Sequence, residues 1–178
     1  MSETARSVEP LQVRVVGAIG DVLPSSWDAC AGNNLAASSA KSDEKVPLSA
    51  TGATEAAYNP FVSHAFLSAL EQSHSAIART GWAPQHLLVE TSGGDILGAA
   101  PCYLKSHSRG EYVFDQGWAD AYERAGGSYY PKLQVCVPFT PATGPRLMVR
   151  PDADSRIVKD ALAQGLMALC ERRRASSA

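Results

Sequence analysis

The chain has 178 residues, a formal net charge of -2 and 45% hydrophobic side chains, which describes about one globular domain. No apolar run is long enough to cross a bilayer, and the opening MSETARSVEP lacks the apolar core and small-residue cleavage site of a secretory signal. A cytoplasmic protein without membrane insertion is expected, and a near-neutral balance with no basic stripe gives no footprint for DNA.

In chain order, Leu11 to Ile19 alternates as a strand and is closed by Gly17 and Gly20. Pro24, a capping Ser25 or Ser26, Trp27 and Cys30 then suggest a short helix. Residues 32–57 are Ala, Ser, Asn, Thr, Gly and charge with almost no large apolar side chain, which reads as a disordered insertion. Residues 59–82, NPFVSHAFLSALEQSHSAIARTGW, predict a helix capped by Asn59 or Ser63, with Phe66, Leu67, Leu70 and Ile77 on one face and a stop at Gly81. QHLLVE and ILGAAPCYLK predict two antiparallel strands around the TSGGD turn, GEYVFD predicts another, and WADAYERAGG a short helix ended by Gly126. Asp154 or Ser155 caps a last helix with Val158, Leu162, Leu166 and Leu169 on one face.

The segment 129–146, YYPKLQVCVPFTPATGPR, stands apart. Leu133, Val135, Val137 and Phe139 alternate with Gln134, Cys136, Pro138 and Thr140, the period of a strand. Pro138, which has no N–H to give a ladder, ends the pairing near Val137, and Pro141 and Pro145 repeat the restriction. A gap beside the strand is then available for Tyr130, Lys132, Thr140 and Arg146 to line. Together the elements predict an α+β domain with a mainly antiparallel sheet flanked by helices, and the absence of a strand after the last helix suggests an incomplete domain.

The stretches NPFVSHAFLSALEQS, GWAPQHLLVE and GAAPCYLKSHSRGEYVFDQGWADAYERAGGSYYPKLQVCVPFTPATGPRL, over roughly Asn59 to Arg150, closely resemble the FemAB-like (DUF482) group of peptidoglycan-biosynthesis-type acyltransferases. The resemblance implies a GNAT, acyl-CoA N-acyltransferase fold built as two units in one chain. Residues 1–31 and 58–174 would be the first unit, and the second would be absent here. It further implies transfer of an acyl or aminoacyl group to a small-molecule or peptide amine, with acyl-CoA or aminoacyl-tRNA as possible donor of the whole protein and the second unit as partner. The alternative is a non-catalytic binding or interaction half, or an inactive fragment.

Such a transfer must hold the amine beside a carbonyl, remove a proton and stabilise an oxyanion. Glu111, Asp115 and Asp120 are candidate bases, with Asp115 preferred. Tyr129, Tyr130, Lys132, Thr140 and Arg146 are candidate substrate-binding residues. The loop TGPRLMVRPDADS, where a CoA pyrophosphate would sit at a helix start, lacks the glycine-rich pattern and carries Asp152 and Asp154, so this unit is expected to bind no cofactor itself. His64 and His74, read as ten residues apart on one helix, together with His86 and His107, give no metal-ligand spacing. Cys30, Cys102, Cys136 and Cys170 have no close spacing and read as buried free thiols. Trp82 and Trp118 read as core or rim anchors.

Overall fold

The computed structural model describes residues 10–32 and 59–178. The segment read as a disordered insertion therefore lies, apart from Gly32, outside the described residues. Within them the architecture is α+β, with four α-helices and two antiparallel sheets.

The strands are β1 (Gln12–Val16), β2 (Trp82–Pro84), β3 (His86–Glu90), β4 (Ile96–Ala100), β5 (Cys102–Lys105), β6 (Lys132–Val135) and β7 (Met148–Val149). The helices are α1 (Pro24–Cys30), α2 (His64–Gln72), α3 (Gln116–Arg124) and α4 (Ser155–Arg173). One sheet has the order β1-β3-β4-β7 and the other β2-β5-β6. In the first, β3 is central and its side chains from His86 to Val89 are buried, because both faces are covered. Leu88 packs with Trp27, Val62 and Leu67 on the side of α1 and α2, whereas Leu87 and Val89 pack with Val158, Leu162 and Leu169 of α4. The result is helix, sheet, helix in three layers.

ILGAAPCYLK, expected as one strand, is divided at Pro101, which gives no N–H to a ladder. β2 and β3 bend at the same level, where Gln85 N–H donates to the Cys102 carbonyl at 2.8 Å. One bent hairpin thus serves two sheets. Its outer strand pairs with β7 along β4 and with β6 along β5. The β6 ladder ends at Val135, followed by a single bond from Cys136 N–H to the Pro101 carbonyl at 3.2 Å. The chain then swings out through residues 137–147, with Phe139 at φ 63°, and returns to the same flank as β7. The interruption near Pro138 is therefore an excursion from one strand line and back to it.

Three other expectations are corrected. The helix begun at His64 stops at Gln72, because Ser73 and Ser75 bond locally and His74 takes φ 60°, so Ile77 is outside it and His64 and His74 do not share a helix. GEYVFD forms no strand: Tyr112, Val113 and Phe114 are exposed and meet no ladder partner. The short strands β2 and β7 were not anticipated. Asp154 rather than Ser155 caps α4, accepting from the N–H groups of Arg156 and Ile157.

Helix α4 approaches β4 most closely at Gly98, where an added Cβ would lie 2.3 Å from Val158 Cγ1. Val158 is β-branched and buried, so it has little freedom to move away. Gly98→Ala is expected to destabilise the domain by about 1–3 kcal/mol through overpacking. A lower urea midpoint with unchanged slope would match, and an unchanged midpoint would show that α4 is free to shift.

Candidate functional site

In the three-stranded sheet, residues directly opposite one another share a face. Trp82, Lys105 and Lys132 form one cross-strand row, and Pro84, Tyr103 and Gln134 form the next. The opposite face sends Leu104 and Leu133 into the core. The two lysines are therefore direct neighbours, an arrangement that repels unless something stands between them. Glu111 does so. Its Oε1 lies 3.7 Å from Lys105 Nζ and its Oε2 3.7 Å from Lys132 Nζ.

A second carboxylate holds the outer lysine. Lys132 Nζ donates to Asp115 Oδ2, and the Tyr130 hydroxyl donates to Asp115 Oδ1 at 2.6 Å. Burial alone would raise the Asp115 carboxyl, but the bonds from Lys132 and Tyr130 outweigh it and bring the group down to about 2. Burial, together with the bond to Asp115, raises the Tyr130 phenol. Tyr129 stands outside this pair, its ring edge-on to Tyr130 with centroids 5.0 Å apart and 5.4 Å from Lys132 Nζ.

The inner lysine has a different environment. Lys105 is fully buried, its Nζ lies 3.2 Å from the centroid of the Trp82 ring, and it has no hydrogen-bond partner among the described residues. Burial pushes it down to about 8, with Lys132 assisting and Glu111 opposing. Beside this row is a cavity of about 200 Å³. Trp82 and Gln134 line it from the sheet, Glu111, Tyr112 and Val113 from the segment before α3, and Cys136 to Pro141 supply Cys136, Val137, Phe139, Thr140 and Pro141. Trp82 Nε1, Glu111 Oε1 and Gln134 Oε1 are all buried without hydrogen-bond partners. Such groups are costly unless something completes them. Cys136 is not a nucleophile here, since burial pushes its thiol up to about 12.

Of the residues singled out from sequence, Asp115, Tyr129, Tyr130 and Lys132 come together, and Thr140 lies on the cavity wall. Arg146 does not join them; its guanidinium donates to the carbonyls of Ala142, Gly144 and Pro145 and ties the excursion together. Asp120 is exposed on α3. Trp82 is buried and Trp118 is exposed. Lys105 was missed, although a lysine two residues after Tyr103 in a strand belongs to the same face. Among the described residues no group of three or more His, Cys, Asp or Glu is placed to hold a metal ion. No helix among them is long and apolar enough to cross a membrane.

Residues 18–178 match the family model FemAB_like, described as peptidoglycan biosynthesis or recognition. The chain belongs to the FemAB-like family. Membership attaches this FemAB-like chain to peptidoglycan-related transferase chemistry at that coarse level. No curated protein and no solved structure is significantly similar to it.

The Asp115 carboxyl drops from its ordinary 3.8 to about 2 on folding, so it stabilises the fold above pH 4 and that stability is lost as pH falls through 2. The contribution is about 2 kcal/mol, little screened because the group is mostly buried. Melting temperatures from pH 5 to 2.5 should therefore fall more steeply for the native protein than for Asp115→Asn. Parallel slopes would remove the assigned linkage.

Proposed function

We propose that this chain carries the amine-acceptor site of an N-acyltransferase, in which a primary amine enters the cavity and receives an acyl or aminoacyl group. The observation that carries the reading is the pair of buried acceptor oxygens without a hydrogen bond among the described residues, Glu111 Oε1 and Gln134 Oε1, in residues lining a cavity walled by the Trp82 and Phe139 rings. Two acceptors call for a donor, and aromatic faces favour a cation. Tyr112, Val113 and Phe139 form the outer wall on irregular backbone. In this reading Glu111 holds the nitrogen, and Lys132, behind the cavity wall, holds Glu111 in place through its Oε2. Asp115 has its oxygens engaged and is a weak base, so its role is to fix Lys132 and Tyr130. Tyr129 shields Lys132 from outside, and Thr140 offers a hydroxyl to the substrate.

The acyl donor is assigned to the rest of the protein. The N–H groups at the start of α4, where a pyrophosphate would be held, are engaged by the Asp154 side chain, while the nearby Asp152 is paired with Arg150. Isothermal titration of this chain with acetyl-CoA should accordingly give no tight binding; micromolar binding would overturn that part of the reading.

A non-catalytic binding half is the second reading. It is favoured by α3, which buries no side chain, and by the exposed Tyr112, Val113, Phe114 and Trp118, the first two of which line the cavity. A second GNAT-like unit is the partner it implies. The experiment that weighs both titrates n-butylammonium and assays acyl transfer to it from aminoacyl-tRNA and acyl-CoA donors. Glu111→Gln, by removing the negative charge, and Gln134→Leu, by removing an acceptor, should each weaken amine binding about tenfold or more. Binding without transfer from any donor favours the second reading, and unaltered binding in both variants refutes the amine pocket.

A further inference from the structure

Lys105 and Lys132 are opposed across the β5-β6 ladder, and among the described residues the carboxylates bonded or paired with them are Glu111 and Asp115. Two cations therefore face two anions. From the segment before α3 comes Glu111, from β6 Lys132, from just after β6 Cys136, and from β2 the Trp82 ring. Asp115 acts only through Lys132. This cluster is electrically complete before any ligand arrives, yet the amine pocket shares Glu111 with it. A third cation docking there would leave an uncompensated buried charge, which is strongly unfavourable.

One of the resident cations can yield. Lys132 is locked by a direct bond to Asp115 and its ammonium is favoured. Lys105 has no hydrogen bond, is fully buried, and lies on the ring of Trp82, which itself lines the cavity. We infer that Lys105 is the exchangeable cation of the pocket: when a primary ammonium docks against Glu111 and Gln134, Lys105 releases its proton, and it then accepts, through Glu111, the first of the two protons the substrate nitrogen loses, the one that must leave before attack. The inference rests on the amine-acceptor reading.

The protons balance. Docking sends one proton from Lys105 to solvent. The bound ammonium then passes one proton to the Glu111 carboxylate, and Glu111 passes one to the neutral Lys105 amine. What remains is a carboxylate, a lysine ammonium and a substrate amine with its lone pair free to attack. Lys105 touches no substrate atom and is a positioning residue, while Glu111 is the group in contact. Its ordinary lysine basicity is reduced by burial to about 8, which puts the exchange within reach of neutral pH.

Titration of the chain with n-butylammonium in buffers of different ionisation enthalpy counts the protons released. At pH 7.5 the native protein should release roughly three-quarters of a proton per ammonium bound, and its affinity should rise about tenfold from pH 7 to 9 as Lys105 becomes neutral. Lys105→Met should bind at least as tightly, release no proton and have a flat pH profile. Lys105→Arg keeps a permanent charge, so it should bind about tenfold or more weakly and also release none. A native protein that binds without proton release, or a Lys105→Met protein that still releases a proton, overturns the inference. Should Lys105→Met fail to fold, the native pH profile and Lys105→Arg decide the matter. Absence of n-butylammonium binding to the native protein instead removes the amine pocket itself, and this inference falls with it.

Discussion

The site depends on one electrostatic constraint: two lysines placed opposite each other on adjacent strands cannot remain charged and close without a carboxylate between them. Glu111 meets that requirement at 3.7 Å from each. Holding it there draws the 106–115 segment over the face of the small sheet, which is why GEYVFD lies as irregular chain instead of extending the ladder. The same segment becomes one wall of the cavity, and its next carboxylate, Asp115, reaches the outer lysine. Charge compensation and pocket formation are thus one event.

The surrounding scaffold explains why the cluster is rigid where it must be. Pro101 divides a long hairpin so that one half is locked in a three-layer core and the other half forms a small sheet with one face on that core. The remaining face carries Trp82, Tyr103, Lys105, Lys132 and Gln134, residues that would be unfavourable inside the main sheet. Below them, His86 and Glu71 are joined at 2.9 Å, and Glu71 also accepts from Ile19 N–H, tying α2 to the sheet. The outer wall of the cavity, at Tyr112, Val113 and Phe139, instead lies on irregular chain.

Much of this was legible because local chemistry decided it. Strand β3, the Asp154 cap and the departure of the chain near Pro138 follow from alternation, a capping carboxylate and a missing N–H. The association of Asp115 with Tyr130 and Lys132 was legible only as a list of candidates, since separations of 15 and 17 positions along the chain say nothing about distance. Arg146 shows the limit from the other side: its donors are satisfied by carbonyls within five residues, a local outcome that a guanidinium in a proline-rich loop adopts as readily as anion binding. Helix α2 was read too long because Ile77 lies at helical spacing, but the serines around His74 offered the backbone other partners.

By itself the sequence determined the α+β class, the family and the point where β6 leaves its neighbour, because each depends on residues close together in the chain; the caps it narrowed to pairs, from which the structure took Ser63 and Asp154 and at α1, capped by Leu23, neither serine. Only the tertiary structure decided that Lys105 lies beneath Trp82, that Glu111 rather than Asp115 borders the cavity, and that β6 and β7 share one strand line. Those outcomes depend on cross-strand register and on burial, which set both the distance between charges and the dielectric around them. Neither quantity is encoded in spacing along the chain.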